Sequence, residues 1–228
     1  MTELWQGLIK AIQLIATFDP EVMEIAGRSL AIAATSCSIA SLICLPLGSL
    51  IHFSRFAGKR LLINILQTLY SVPTVAIGLF VFVLFSRAGP IGGLGLVFTP
   101  IAIVIGQALL VTPIILGLTI SALSGVDKAV TETAISLGAS RFQAIILTIK
   151  EVRYAILTAV IMGFGRAISE VGISLMVGGN IKGFTRTITT AISLETSKGD
   201  IELSIALGII LILLAMIINF ALNRLQQR

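Results

Sequence analysis

The chain has 228 residues, of which 56% are apolar and only 12% carry a charged side chain, and its mean hydropathy is +1.05. Soluble domains carry about 25% charged residues, so the composition excludes a free-standing soluble enzyme or binding domain. The net charge of +5 is spread over many loops and forms no basic patch, which argues against nucleic acid as a partner.

The apolar residues fall in blocks long enough to cross about 30 Å of hydrocarbon at about 1.5 Å per residue. The sequence therefore predicts an all-α polytopic membrane protein. Leu4 to Phe18 has apolar residues at helical spacing but is too short to cross, and an N-terminal interfacial helix is expected within an amphipathic segment at 1–24. It shows neither the basic start nor the small-residue cleavage site of a signal peptide. Asp19-Pro20-Glu21 ends it, and Pro20 suits the first turn of the next helix.

Five transmembrane helices are expected at 27–52, 62–86, 98–121, 155–177 and 201–222, in a membrane domain at 25–222 followed by a cytoplasmic tail at 223–228. Cys37 and Cys44 lie seven apart in the first span, too far along a helix for a disulfide and outside any CxxC or His/Cys cluster. Both read as small packing residues. His52 sits at the end of that span, at an interfacial position. Pro46, Pro73 and Pro113 lie inside spans and are expected to kink them. No paired broken helices of the kind found in many secondary transporters are apparent.

The longest polar interruption, at 127–153, needs a reason, because most connections are far shorter. Ala129 to Leu137 has helix-favouring composition, Gly138 permits a sharp turn, and helical spacing resumes from Arg141 to Ile149 with Phe142, Ile145, Ile146 and Ile149 on one side. Two short helices at an angle make a rigid knob that a soluble partner can grip. An amphipathic loop lying on the lipid surface is the alternative.

The fourth span contains Arg166 and Glu170, four residues apart and thus on one helical face. Charges in hydrocarbon cost a few kcal/mol each, so these two are expected to pair, to face the protein interior, or to line a water-filled path. An interhelical clamp and the polar wall of a translocation path or gate both remain open, with Ser169 and Asn180 as further candidates for the path. Gly163, Gly165 and Gly172 allow close helix approach. Residues 177–195, rich in Thr and Ser, form either a plain outer loop or a segment that dips back into the protein.

Lys and Arg favour short cytoplasmic loops. Arg55, Lys59, Arg60, Lys128, Arg141, Lys150, Arg153, Arg224 and Arg228 fall on one side of a five-span arrangement, and Lys10, Arg28, Arg87, Lys182, Arg186 and Lys198 on the other. The nine-to-six bias predicts a cytoplasmic C-terminus and 127–153 knob, with the N-terminus outside. The chain contains no GxxxxGK[ST] phosphate loop, no HExxH and no Ser-His-Asp set, and it has a single histidine. No catalytic residue is expected.

Glu132-Thr133-Ala134, with Gly138 four residues on, resembles the cytoplasmic EAA loop of bacterial ABC importer permeases, with Thr133 in place of the first Ala. The later Ile-x-Leu-Pro of that pattern is absent; Thr148-Ile149-Lys150-Glu151 stands there. Ser71-Val72-Pro73-Thr74-Val75-Ala76-Ile77-Gly78-Leu79 looks like the proline and glycine segment of the second core span. Leu4-Trp5-Gln6-Gly7, Asp19-Pro20-Glu21-Val22, Gly165-Arg166-Ala167-Ile168-Ser169-Glu170-Val171-Gly172, Met176-Val177-Gly178-Gly179-Asn180-Ile181, Thr189-Thr190-Ala191-Ile192 and Leu194-Glu195-Thr196-Ser197-Lys198-Gly199 are similar to the tungstate/molybdate/sulfate group of type I ABC importer permeases.

The resemblance implies a type I, MetI-like permease core of five spans plus the N-terminal helix, in a bacterial or archaeal cytoplasmic (inner) membrane. It implies an oxyanion cargo, tungstate by overall pattern, with molybdate, sulfate or another small solute as alternatives. The implied partners are a second copy of the chain, two ABC ATPase subunits that carry the ATP and Mg, and an extracytoplasmic oxyanion-binding protein. No cofactor or metal is expected in this chain. In such a machine Glu132, Ala134, Gly138, Ser140, Arg141 and Phe142 would couple to the ATPase. The rival from another class is a channel or secondary transporter that works without an ATPase.

Overall fold

The computed structural model describes residues 2–226, and every regular element among them is helical. In chain order these are α1 (Thr2–Ala16), α2 (Pro20–Phe53), α3 (Lys59–Thr68), α4 (Thr74–Phe85), α5 (Pro100–Ser124), α6 (Lys128–Ser136), α7 (Arg141–Glu151), α8 (Arg153–Ile168), α9 (Gly172–Gly178), α10 (Ile188–Lys198) and α11 (Ile201–Gln226). Two 3-10 turns lie at Leu69–Ser71 and Gly92–Leu94.

Local chemistry sets the helix starts. The Asp19 carboxylate accepts from the Val22 amide (3.0 Å), and Pro20 fills the first turn of α2, where no backbone N–H is needed. Thr99 and Pro100 repeat the arrangement at α5, with the Ala102 amide donating to the Thr99 hydroxyl (3.3 Å). Pro46 and Pro113 sit inside unbroken α2 and α5.

Among the described residues, three helices are long and apolar enough to cross a membrane singly: Pro20–Phe53, Pro100–Ser124 and Ile201–Leu222. The other two expected spans are not continuous. Residues 62–86 divide into α3 and α4, bent by 99° at Val72-Pro73, because Pro73 has no N–H to continue the ladder and Val72 before it is extended (φ −65°, ψ 131°). Residues 155–177 divide into α8 and α9, bent by 57° between Ile168 and Gly172. Two bent pairs are thus present where none was apparent in the sequence, since each break spans only a few residues inside an apolar run. The expected boundary at residue 24 falls within α2, and α11 continues through most of the expected tail. Residues 227 and 228, including the Arg228 counted for orientation, lie outside the described residues.

The bundle is joined through apolar clusters. One binds α2, α5 and α8 around Cys37, Cys44, Val111, Ile115 and Phe164; both cysteines are free and buried, as expected of packing residues. Another joins α1, the start of α2, α10 and α11 around Ala11, Ile25, Ile188 and Leu207. A third sets α4 and α9 against α5 through Val81, Phe85, Ile103, Ile173 and Val177. Between helices in lipid, close van der Waals packing does the work that hydrophobic burial does in water, which favours small residues at the seams. A Cβ on Gly163 would lie 2.8 Å from Ile115 Cδ1, and one on Gly172 would lie 2.8 Å from Thr74 Oγ1. Gly165 differs: its Cβ direction is open, so it serves no helix seam within the chain. The amphipathic α1 lays Gly7 and Ala11 on α11 and leaves Leu4, Trp5 and Ile12 exposed.

Candidate functional site

The elbow at one end of α2. The Asp127 carboxylate caps α6 by accepting from the Ala129 amide (2.9 Å). The helix ends in paired backbone bonds, Ala139 N–H to Ala134 O (3.0 Å) and Gly138 N–H to Ile135 O (2.9 Å), with Gly138 at φ +91°. This closure needs a left-handed residue, which glycine supplies at no steric cost. Ser140 then opens α7 through a capping box: its hydroxyl accepts from the Gln143 amide (3.3 Å), and Gln143 Oε1 accepts from the Ser140 amide (2.8 Å). The Ser140-x-x-Gln143 spacing was a legible signal that the sequence reading did not use.

The two arms are pinned together. Thr131 and Thr148 hydroxyls lie 3.2 Å apart, and Ala134, Ala144 and Thr148 are buried between the arms. Of the apolar residues on one side of α7, Phe142 (71%) and Ile146 are exposed while Ile145 and Ile149 are half-buried; in the first arm Leu137 is 84% exposed, and Glu132 and Arg141 are also exposed. Small residues fill the inner seam, which leaves Leu137, Phe142 and Ile146 on the outside of the elbow. Without the missing proline pattern, α7 passes into α8 through the single residue Val152. His52 Nδ1 and Ser124 Oγ, 3.2 Å apart, tie the ends of α2 and α5 beside the elbow.

The break in the fourth span. Arg166 lies in the last turn of α8, and Glu170 sits in the break rather than on a helical face. The two still meet, Arg166 Nη1 to Glu170 Oε2 at 3.0 Å. The Glu170 side chain is 1% exposed and that of Arg166 is 36% exposed. Glu170 Oε1 accepts from the Ile173 amide (3.0 Å), its carbonyl accepts from the Thr189 hydroxyl (2.9 Å), and its amide donates to Ala167 O (3.2 Å). One residue therefore joins α8, α9 and α10. At the end of α8, Ser169 is exposed and Gly165 and Arg166 are half-buried beside it; the Ser169 hydroxyl lies within hydrogen-bond reach of the Gly165 carbonyl (3.0 Å).

The segment at 177–195 folds back into the protein. Asn180 (φ 50°) accepts from Arg186 Nε at Oδ1 (3.2 Å) and donates from Nδ2 to Thr190 O (3.3 Å). It does not touch Arg166 or Glu170 but is joined to them through consecutive threonines of α10. Thr185, Thr187, Thr189 and Thr190 are all buried, and the Ser29 hydroxyl of α2 accepts from the Ile188 amide (2.8 Å). These threonines were missed as individual residues; the Thr187-x-x-Thr190 cap is their one sequence signature. Farther from the elbow, Glu21 bridges Lys182 (2.7 Å) and Arg186 (3.7 Å), and Arg28 pairs with Glu24.

Comparison with known proteins agrees with this architecture. The chain is 41% identical over 227 residues to the tungstate uptake system permease protein TupB of Peptoclostridium acidaminophilum, covering 100% of both chains. It is 38% identical over 224 residues to the protein of the same name from Campylobacter jejuni, covering 98% of this chain and 94% of the relative. The fold matches a bacterial alginate ABC transporter, solved in complex with an alginate pentasaccharide-bound periplasmic protein, with a TM-score of 0.78 at 18% identity over 100% of this chain and 87% of that one. Residues 44–228 match the family described as binding-protein-dependent transport system inner membrane component. The chain belongs to that family and is a multi-pass permease of the inner membrane.

Proposed function

We propose that this chain is the membrane subunit of an ATP-driven tungstate importer, working as a pair of identical copies with two ATPase subunits and an external binding protein that captures the anion. The full-length 41% identity to a tungstate permease carries the choice of cargo. The elbow supports the coupling role. Its arms are rigid, its turn is fixed by Gly138, and Glu132, Arg141 and Phe142 stand exposed for a soluble motor, with Ala134 and Ser140 holding the shape. ATP and Mg belong to that motor; this chain carries no phosphate loop of its own.

In this reading the elbow lies in the cytoplasm and the N-terminus outside, as the distribution of Lys and Arg suggests. The open face of α8 at Gly165, Arg166 and Ser169 borders the path between the two copies. Arg166 meets the anion there, while Glu170 holds the arginine and keeps the anion from binding too tightly to leave. Asn180 shapes the outer wall without touching the cargo.

Reconstituted uptake tests this. Tungstate should enter vesicles only with ATP, the ATPase and the binding protein present, and tungstate should raise the melting temperature of the binding protein more than molybdate or sulfate does. The two bent pairs favour one other reading, a gradient-driven transporter. Uptake by the chain alone would establish that reading instead.

A further inference from the structure

At the end of α2 away from the elbow, α1, α10 and the starts of α2 and α11 enclose a crevice of about 470 Å³. Its floor is apolar, with Leu14, Val22 and Leu207, and its rim is charged. Most of the rim charges are paired: Glu21 with Lys182 and Arg186, and Glu195 with Lys198 at 2.9 Å. Lys10 and Asp19 also line the crevice, and among the described residues neither has an ion-pair partner. Asp19 uses one carboxylate oxygen to cap α2 and keeps the other free. A free positive charge and a free negative charge, not paired with each other, match a ligand that carries both.

The surroundings say which one. The outer face of α1 is apolar, with Leu4, Trp5, Leu8 and Ile12 exposed. A helix of this kind lies in the membrane interface, and tryptophan prefers the headgroup level. The crevice therefore stands where phospholipid headgroups are. A free oxyanion suits it less well, because four basic side chains face three acidic ones and an apolar floor adds nothing to such an ion.

We propose that the crevice seats the headgroup of a phospholipid with a primary amine, phosphatidylethanolamine, whose phosphate meets Lys10, whose ammonium meets Asp19 and whose acyl chains leave along the floor. A bound lipid there would fasten α1 to α10 and α11, independently of the cargo the permease carries.

Native mass spectrometry of the full-length permease, purified from membranes and then supplied with defined lipids, tests the proposal. Wild type should retain phosphatidylethanolamine in preference to phosphatidylcholine and phosphatidylglycerol. Lys10→Gln and Asp19→Asn should each bind it about tenfold more weakly, the scale of one charge-assisted hydrogen bond. Asparagine caps a helix as well as aspartate does, so Asp19→Asn keeps the start of α2, and Lys10→Arg should restore retention. Arg87→Gln, which removes an exposed charge outside the crevice, should leave retention unchanged. Equal retention in wild type and Lys10→Gln overturns the proposal. Stabilisation by inorganic phosphate equal to that by the lipid would make the crevice a free-anion site. Weakened docking of the binding protein in Lys10→Gln with lipid retention intact would make it a protein-docking face.

Discussion

Glu170 is the residue whose removal separates a structural pair from an incidental one. Glu170→Ala deletes the acceptor for the buried Ile173 amide, at a cost of about 1–3 kcal/mol. It also strands Arg166, but that side chain is 36% exposed, so the lost pair adds only about 1 kcal/mol. Arg166→Ala leaves a carboxylate that is 1% exposed with no counter-charge, and one-sided breakage of a buried pair costs about 3–5 kcal/mol. Removing both leaves no stranded charge, so the double variant should lose only the Ile173 bond, about 1–3 kcal/mol. The two single losses thus add up to more than the double loss, and Glu170→Gln, which keeps an acceptor for Ile173, should cost least. Reversible unfolding in mixed micelles measures all four, with tungstate uptake as the functional readout. Additive single losses, or equal defects in Glu170→Ala, Arg166→Ala and the double variant, would refute the coupling.

Three further outcomes are expected. Gly138→Val places a β-branched residue at φ +91°, a strain of about 1–3 kcal/mol, and should let ATP hydrolysis proceed with uptake lost while the bundle still folds; unchanged transport would refute the role of the turn. Thr189→Val removes the hydroxyl that donates to Glu170 O at similar volume and should destabilise by about 1–3 kcal/mol, read by the same unfolding assay. Ser140→Cys, in a background lacking Cys37 and Cys44, should react with a membrane-impermeant thiol reagent only from the cytoplasmic side; labelling of intact cells from outside would invert the topology.

Much of the outline was legible because it follows from chain-local chemistry. Long apolar runs mark α2, α5 and α11, Asp19-Pro20 and Thr99-Pro100 mark helix starts, and Gly138 marks the elbow's turn. The breaks were harder to see. Val72-Pro73 reads as a kink, and only packing of α4 against α9 turns it into a 99° bend. Ser169-Glu170-Val171 contains no proline at all; α8 stops because Glu170 folds back to cap the Ile173 amide and takes a hydroxyl donor from α10. Spacing alone placed Arg166 and Glu170 on one face, and they do meet, but across a break rather than along a helix. In α7 the seam with α6 is made by Ala144 and Thr148, small residues that carry no signal in the apolar periodicity.

The position of that break connects the two ends of the molecule. α7 passes into α8 through Val152 alone, so a displacement of the elbow is carried along α8 without a flexible linker to absorb it. The first place on that route where the helical ladder is interrupted lies between Ile168 and Gly172, 57° off axis. There the lost backbone bonds are replaced by a side-chain carboxylate and a threonine hydroxyl, contacts that can be exchanged singly rather than as a whole turn. Beyond it, Thr189 belongs to α10, whose neighbouring residues reach Asn180, Ser29 and, through Arg186, Glu21. A push at the elbow therefore meets its softest joint where a charged, half-exposed arginine stands, with the Glu21, Lys182 and Arg186 charge network on the far side of that joint.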